Sequence, residues 1–244
     1  MMIVCCIDTN RAHVVPGAAT APLETLAESA DEVCDARRAR IPDAALAFED
    51  EAGCVLRGAA AMAALERRCR FRYVETLAFL HERHLRQRHL LLTPAAPSPE
   101  ALFGGDFAAT PALVVRPTPP LGLGVFAGEP IAPGALVAEY AAVARPPDGG
   151  TARAFDGYGL HYGESLGGES LDLSALHYGN VGRFFNHDAE LQNADLVGCA
   201  ADGGLFRVVV VSLRAIPEGD QVLVDYGRAY WAGAPFDPVP AVVR

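Results

Sequence analysis

The 244-residue chain contains no lysine. All 20 of its basic residues are arginines, they stand against 30 acidic residues, and the formal net charge is −10. A chain this acidic is a poor candidate for direct binding to nucleic acid, and it suits a basic peptide partner better. The absence of lysine accompanies many Ala, Gly, Pro and Arg residues, a composition typical of GC-rich coding.

Three further absences narrow the class of protein. None of the six cysteines forms a CxxC pair, so we expect neither a disulfide framework nor a zinc cluster, and no metal. No run of about 18 apolar residues is long enough to span a membrane. The N-terminal stretch MMIVCCIDTNRAH has no basic region before its short apolar run, which is atypical of a signal peptide. We therefore expect an intracellular protein that does not bind membranes.

The chain is 51% hydrophobic and long enough for one or two domains, each with a hydrophobic core. Apolar residues at spacings of three and four predict helices over residues 23–39 and 58–92. After the proline-rich stretch at 93–99, short β-rich runs alternate with Gly and Pro. We predict an α+β, mainly β protein. It has a helical N-terminal extension of unknown role over residues 1–100 and a β-rich domain over residues 101–244.

The second predicted helix is rich in arginine and histidine. Seven arginines and three glutamates between residues 61 and 92 give a local charge of about +4, from 7 minus 3. Either this face contacts an acidic partner or it is simply solvated. His81 and His84 stand in HERH, one residue short of HExxH, and cannot share a helix face as that zinc motif requires. We interpret them, with His89, as surface residues.

The stretch PLGLGVFAGEPI places two glycines around one residue, at Gly122–Gly124. A dinucleotide-binding loop would need a helix immediately afterwards. Pro130 and Pro133 follow instead, with Gly128 and Gly134, and each proline inside a helix costs about 3 kcal/mol or more. We therefore predict strand, turn and strand. Between strands, the glycines expose backbone for close approach of a ligand other than phosphate.

Three later stretches complete a pattern. They are Asp156-Gly157-Tyr158, YGNVGRFFNH at 178–187 and IPEGDQVLVDYG at 216–227. With the paired glycines they resemble the SET-domain protein lysine methyltransferases, whose signatures are GxG, GNxxRFxNHS and I-x-x-G-E-E-L-x-x-D-Y. The resemblance covers about half of the chain. It implies a SET-domain (β-clip) fold of small curled sheets with a pseudoknot, in which the chain passes through a loop formed by an earlier segment. It also implies S-adenosylmethionine as the cofactor.

The resemblance implies roles for individual residues. Tyr226 matches the tyrosine at the methyl-transfer point, and Tyr140 matches one that lines the lysine channel, so both are the implied catalytic residues. Val224 lines the same channel. A desolvated channel lined by tyrosines suits transfer to a neutral amine, because it lowers the pKa of lysine from about 10.4. The implied cofactor-binding residues are Gly122, Leu123, Gly124, Tyr158, Arg183, Phe184, Asn186 and His187.

The implied function is transfer of methyl groups to a lysine of a protein, first of all a histone tail, in the nucleus or on chromatin. A non-histone substrate and a non-catalytic module that binds a peptide or chromatin partner are the alternatives. The non-catalytic module is favoured by the loop Asp188–Asn193, which lacks the family's Ser-Cys-x-Pro-Asn and places its asparagine one residue late. Tyr230 and Trp231 either close the site or pack the C-terminus. The N-terminal extension could set substrate choice, mediate a homodimer or buttress the fold.

Val224 generates a prediction about the number of methyl groups. It occupies a position where the family often has Phe or Tyr, and the smaller valine leaves room for more than one methyl. We expect multiply methylated product in a mass spectrum recorded at saturating cofactor. A spectrum with monomethylated product alone would contradict this. Because the chain has no lysine, label found on the protein itself comes from a contaminant or from its amino terminus.

Overall fold

The structure, a computed structural model, describes residues 45–74, 77–79, 96–104, 110–146, 156–164, 168–201 and 205–238. Its strands are β1 (Leu46–Glu49), β2 (Val55–Arg57), β3 (Arg72–Tyr73), β4 (Ala78–Phe79), β5 (Leu113–Pro117), β6 (Leu123–Ala127), β7 (Leu136–Glu139), β8 (Ala142–Arg145), β9 (Gly159–Glu164), β10 (Ser170–Gly179), β11 (Asn186–His187), β12 (Ala194–Ala201), β13 (Leu205–Ser212) and β14 (Leu223–Val224). Its helices are α1 (Ala59–Cys69), α2 (Pro99–Phe103) and α3 (Gly227–Gly233), with a 3-10 turn at Val181–Phe184.

These strands form four small sheets within the described ranges. One has the order β2-β1-β5-β6, a second runs β3-β10-β8-β4 with β9 also on β10, and a third runs β12-β13-β7. The fourth is the two-stranded pair β11-β14. Three short helical segments and a 3-10 turn complete the described part, so the predicted mainly β character is confirmed.

The helical N-terminal extension is not supported. Helix α1 ends at Cys69, because Arg70 adopts a left-handed conformation with φ 51° and Phe71 turns into the core. Arg72 and Tyr73 then pair in parallel with the end of β10. Within the helix predicted over residues 58–92, tertiary pairing thus overrides the helical periodicity at residues 72–73 and 78–79. The helix predicted over 23–39 and the histidines His81, His84 and His89 lie outside the described residues.

The described N-terminal strands belong to the same sheets as the later ones. β1 pairs in parallel with β5, β3 with β10 and β4 with β8. Strands β1, β3 and β4 therefore contribute to the β-rich part across the boundary predicted near residue 100. The division of the chain into 1–100 and 101–244 stays a prediction.

The prediction of strand, turn and strand after the paired glycines is confirmed. β6 begins at Leu123, and β7 begins at Leu136. Pro130 and Pro133 lie in the connection between them, where neither must donate a ladder hydrogen bond. Gly134 takes φ 72°, and its amide donates to the Ser212 carbonyl at 2.9 Å, so the turn is anchored to the third sheet. No helix begins at Val125, which is the third residue of β6.

The closing segment 216–224 lies between two earlier parts of the chain. On one side, the Ala127 amide donates to the Asp220 carbonyl at 2.9 Å and the Val222 amide to Val125 at 2.8 Å. On the other side, β14 pairs in parallel with β11. The closing segment thus lies between β6 and β11, as the expected pseudoknot requires.

A buried ion pair joins β7 to β13 beside the site. Arg207 Nη1 lies 2.7 Å from both carboxylate oxygens of Glu139, and the two side chains are 0% and 1% exposed. Because Glu139 directly precedes Tyr140, this ion pair also holds the strand end from which Tyr140 projects. Among the described residues, no group of three or more His, Cys, Asp or Glu is placed to hold a metal ion. None of the described helices is long and apolar enough to cross a membrane.

The ion pair predicts a strong effect on stability. Arg207→Met removes the counter-ion and leaves the Glu139 carboxylate buried without its charge partner, so we expect a loss of about 3–5 kcal/mol in the free energy of unfolding. The measurement is urea denaturation. The double variant Glu139→Gln/Arg207→Met should recover a large part of the loss, because it buries no uncompensated charge. Equal stability of the single and double variants would show that the charge pairing is unimportant.

Candidate functional site

The paired glycines meet Asn186 at the start of β6. The Asn186 Nδ2 donates to the Leu123 carbonyl oxygen at 3.2 Å. Gly122 has φ 84°, a left-handed conformation that favours glycine, and its carbonyl accepts from the Thr118 amide at 2.7 Å. A Cβ added to Gly124 would lie 2.9 Å from Asn186 Nδ2. The structure thus brings Gly122–Gly124 and Asn186 together.

His187 connects this cluster to Tyr226. Its Nδ1 accepts a hydrogen bond from the Tyr226 backbone amide at 3.1 Å, and the two rings lie 5.2 Å apart. Because Nδ1 accepts, the neutral ring carries its proton on Nε2. Burial lowers the pKa of His187, while the carboxylate of Asp225, 3.4 Å from Nδ1, acts in the opposite direction. The histidine is therefore held neutral as an acceptor.

Three of the predicted tyrosines meet at one cavity of about 470 Å³, which Tyr140, Tyr158 and Tyr226 all line. The Tyr140 hydroxyl donates to the Tyr158 carbonyl at 2.8 Å, and the Tyr226 hydroxyl donates to the Phe185 carbonyl at 2.5 Å. Burial raises the pKa of Tyr140 well above its ordinary value, so its hydroxyl stays protonated at neutral pH. A phenolic oxygen whose proton is given to a carbonyl can still accept a hydrogen bond.

Three other predicted residues lie in the core and do not line this cavity. Arg183 is 0% exposed, and its guanidinium carbon lies 4.0 Å from the Phe71 ring centre and 4.6 Å from that of Tyr158. Phe184 packs edge-on against Phe71 at 5.8 Å. Val224, which the resemblance places in the lysine channel, is instead buried in the core cluster that contains Phe71 and Phe184. Arg183 therefore contacts Tyr158 from the protein interior, which is a packing relationship that the motif does not reveal.

Asn180 is a site residue that the sequence analysis did not single out. Its side chain donates to the Glu139 carbonyl at 2.8 Å and accepts from the Ala141 amide at 3.1 Å. These bonds hold the backbone on both sides of Tyr140. The same oxygen caps the 3-10 turn through the Gly182 amide at 2.9 Å. The sequence could have indicated the cap, because Asn is favoured before a helical turn. It could not indicate the bonds beside Tyr140, because these join segments that are distant in sequence.

Asp156 is a second residue to which the sequence motifs assign no role. Its carboxylate accepts from the Tyr158 amide at 2.9 Å and from the Ser174 hydroxyl at 2.6 Å, and it lies 3.4 Å from Arg145 Nη2. It lines the tyrosine cavity, and so does Asp172. The cavity thus has an apolar tyrosine wall and two carboxylate side chains, a combination that suits a cationic side chain with an aliphatic stem.

The loop after His187 keeps its anchor although its sequence departs from the family pattern. Asp188 Oδ1 accepts from the Glu190 and Leu191 amides at 3.0 and 2.9 Å, which closes the turn. Asn193, one residue late in sequence, accepts from the Leu223 amide at 2.9 Å and donates to the Gln221 carbonyl at 2.8 Å. The missing Ser, Cys and Pro therefore do not separate the loop from the closing segment.

Helix α3 places aromatic side chains against the site. The Trp231 ring lies 4.8 Å from that of His187, and the Tyr230 ring lies 4.8 Å from that of Tyr226. Tyr230 also lines the tyrosine cavity, and its hydroxyl lies 3.4 Å from the Gly157 carbonyl. Phe236 packs on Trp231 at 6.4 Å. Of the two alternatives, Tyr230 belongs to the wall of the site and Trp231 packs the C-terminal helix onto His187.

Comparisons with known proteins agree with this arrangement. Residues 122–227 match the family model described as SET domain. Human histone-lysine N-methyltransferase EHMT1 is 33% identical over 113 residues, which are 46% of this chain and 9% of that protein. The chain thus spans only about a tenth of that relative's length.

Two solved structures of ATXR5 share the fold. The complex with mono-methylated histone H3.1 has a TM-score of 0.51 and 19% identity, and the match covers 68% of this chain and 85% of that one. The SET domain bound to di-methylated histone H3 has a TM-score of 0.52 and 18% identity, covering 68% and 84%. The predicted SET-domain fold is confirmed.

His187 predicts a pH dependence of stability. Because its pKa is lowered in the folded protein, the unfolded chain takes up the proton first as pH falls below about 6.5. The stability that the neutral ring contributes is present above that pH and is lost as pH falls towards the folded-state pKa. In His187→Asn the amide oxygen can replace Nδ1 as the acceptor for the Tyr226 amide.

The measurement is urea unfolding of both proteins between about pH 7.5 and 5.5, a window that spans the histidine titration. We expect the stability of the unmutated protein relative to His187→Asn to decrease towards the acid end. His161→Asn, at a side chain that is 57% exposed, controls for the exchange itself. If the difference in unfolding free energy between the unmutated protein and His187→Asn is the same at every pH in the window, the linkage is refuted.

Proposed function

We propose that this chain, which carries a SET domain over residues 122–227, transfers methyl groups from S-adenosylmethionine to a lysine side chain of a protein. The observation that carries the proposal is the cavity where Tyr140, Tyr158 and Tyr226 meet. Aromatic faces suit the aliphatic stem of a lysine, and hydroxyl oxygens suit its amine. The SET-domain match and the 33% identity with a histone-lysine methyltransferase support the same activity.

The cavity can prepare the amine without a strong base. Both tyrosine hydroxyls give their protons to backbone carbonyls, so their oxygens are suited to accept from the amine N–H groups and to orient its lone pair. Since the pKa of Tyr140 is raised, that residue serves as a neutral dipole and does not remove the proton. Desolvation of the ammonium group lowers its pKa. Fixed geometry between nucleophile and methyl donor then supplies much of the rate.

The residues present fit the cofactor. Gly124 has no Cβ, and a Cβ there would collide with the side chains of Gln221 and Asn186 at 2.6 and 2.9 Å. The Gln221 amide is buried beside this glycine and has no hydrogen-bond partner among the described residues. A polar ligand bound here would supply that partner. The backbone of Gly122–Gly124, Asn186 and Tyr158 would hold the cofactor, and His187 would keep Asn186 and Tyr226 in register. When bound, S-adenosylmethionine supplies an electrophilic methyl group on a sulfonium sulfur.

The substrate that fits best is a basic peptide, and a histone tail is the first candidate. The chain carries a net charge of −10, and Asp156 and Asp172 line the cavity. The ATXR5 structures with which it shares its fold are complexes with histone H3. A histone substrate places the protein in the nucleus or on chromatin. A non-histone basic segment is the alternative, and it would enter the same cavity.

The rival function is a non-catalytic module that binds a peptide. Its support was the altered loop after His187, but Asn193 still bonds to both Gln221 and the Leu223 amide. A module without catalysis would not need Tyr140 and Tyr226 together in the wall of one cavity. The catalytic function therefore accounts for more of the geometry.

The test uses labelled S-adenosylmethionine, purified histones and mapping of the modified residue. We expect Tyr226→Phe to lower kcat about 10- to 100-fold, the effect of losing one orienting hydrogen bond to the amine. Tyr162→Phe is the matched control, because its buried hydroxyl also donates to a backbone carbonyl, that of Phe206 at 2.7 Å, but the residue does not line the cavity. Asn186→Ala should weaken cofactor binding in calorimetry. Cofactor binding without methyl transfer to any histone or basic protein would favour the non-catalytic module.

A further inference from the structure

We propose that Gln221 is a further cofactor-binding residue, which donates a hydrogen bond from its side-chain amide to the carboxylate of the amino-acid part of S-adenosylmethionine. The inference rests on the proposed function and deepens it, because it assigns one end of the cofactor to a side chain of the closing motif that is not among the implied cofactor-binding residues. Three observations support it: the burial of Gln221, the missing partners of its amide and the polar atoms that surround Gly124.

Gln221 is a buried polar side chain with open hydrogen-bonding capacity. It is 5% exposed, and neither its amide nitrogen nor its amide oxygen has a hydrogen-bond partner among the described residues. Buried amides are nearly always paired, since an unpaired one loses its bonds to water without replacement. A ligand that arrives beside this amide would supply the missing partner.

The amide lies inside the cradle made by the paired glycines. Its Nε2 is 2.6 Å from the position that a Cβ on Gly124 would take. Two more polar atoms surround the same position, Thr118 Oγ1 at 2.8 Å and Asn186 Nδ2 at 2.9 Å. Those two already contact backbone acceptors, the carbonyls of Arg116 and Leu123. Gln221 is therefore the member of this cluster whose side-chain donor has no partner among the described residues.

The backbone of the closing segment holds Gln221 in this place. Residue 221 bridges to Phe126 of β6, and its carbonyl accepts from Asn193 Nδ2 at 2.8 Å. On either side, the Asp220 carbonyl and the Val222 amide are bonded to Ala127 and Val125. The side chain is thus directed at Gly124 by bonds on both flanks and on the residue itself.

The residue type determines which ligand group it suits. The family pattern I-x-x-G-E-E-L places glutamate at this position, and an ionised glutamate can only accept. Glutamine has almost the same shape but presents an N–H₂ group, here directed into the cradle. A hydrogen bond from this group to a carboxylate is charge-assisted, whereas a glutamate would repel the same carboxylate.

The test compares cofactor with a truncated analogue. Calorimetry measures binding of S-adenosylmethionine and of 5′-methylthioadenosine, which keeps the adenosine and the thioether but lacks the amine and the carboxylate. In Gln221→Met, a side chain of similar shape without hydrogen-bonding groups, we expect binding of S-adenosylmethionine to weaken about 10- to 100-fold. Binding of 5′-methylthioadenosine should stay unchanged. Gln192→Met makes the same exchange elsewhere, and both affinities should match those of the unmutated protein.

Unfolding of the ligand-free protein separates a binding role from a structural one. Because Gln221→Met removes an unpaired buried amide, we expect the ligand-free variant to be at least as stable as the unmutated protein. Lower stability, together with equal weakening for both ligands, would overturn the inference and assign Gln221 to the support of β6.

Gln221→Glu tests the direction of the hydrogen bond. If the amide donates to the carboxylate, glutamate should bind S-adenosylmethionine more weakly than methionine does at this position. Tighter binding by Gln221→Glu would instead mean acceptance from the ammonium group and would refute the assignment. If the unmutated protein binds neither S-adenosylmethionine nor 5′-methylthioadenosine, the proposed function itself fails. Binding of both, with no selective loss in Gln221→Met, overturns the inference alone.

Discussion

The pairing of Asn186 with Leu223 and of His187 with Val224 is the constraint on which the site depends. It joins two segments that are distant in sequence, and the contacts between His187 and Tyr226 follow from it. His187 can accept from the Tyr226 amide only because β11 and β14 run in parallel side by side. The Tyr226 hydroxyl then reaches the Phe185 carbonyl, on the residue that precedes β11.

A second set of bonds attaches this pair to the paired glycines. The closing segment is bonded to β6 through Ala127 and Val125, and Asn186 reaches across to the Leu123 carbonyl. Gly124 lies where these contacts converge, and its lack of a Cβ is what allows them to converge. The glycine is thus required by the neighbours that surround it. In the proposed function the same short turn also binds the cofactor.

The N-terminal segment supports the site from the protein interior. Phe71 lies against the Arg183 guanidinium, which in turn lies over the Tyr158 ring. The Tyr158 carbonyl accepts from the Tyr140 hydroxyl, so contacts run from the residue just after α1 to a wall of the cavity. Strands β1, β3 and β4 pair with strands of the later chain, which supports buttressing among the three roles considered for the N-terminal part. Cation–π contacts of this kind are strengthened by burial, and Arg183 is fully buried.

Local chemistry determined part of this protein from its sequence alone. Prolines at 130 and 133 exclude a helix after the paired glycines, since a proline cannot continue the helical hydrogen bonds, and the strands that follow were predictable for that reason. The order of four short motifs was enough to indicate the SET-domain fold and to name Tyr140, Asn186 and Tyr226. The extent of α1 was not predictable, because Arg72 and Tyr73 leave a helical pattern to pair with β10.

Only the tertiary structure decided which side chains face the cavity and which lie in the core. Arg183, Phe184 and Val224 belong to the same motifs as Asn186 and Tyr226, yet they pack inside the core. Asn180 instead bonds to the backbone on both sides of Tyr140, and Gln221 lies against Gly124. A motif specifies residue types along a strand. The direction of each side chain depends on which strand lies alongside, and in this fold those neighbours come from distant parts of the chain.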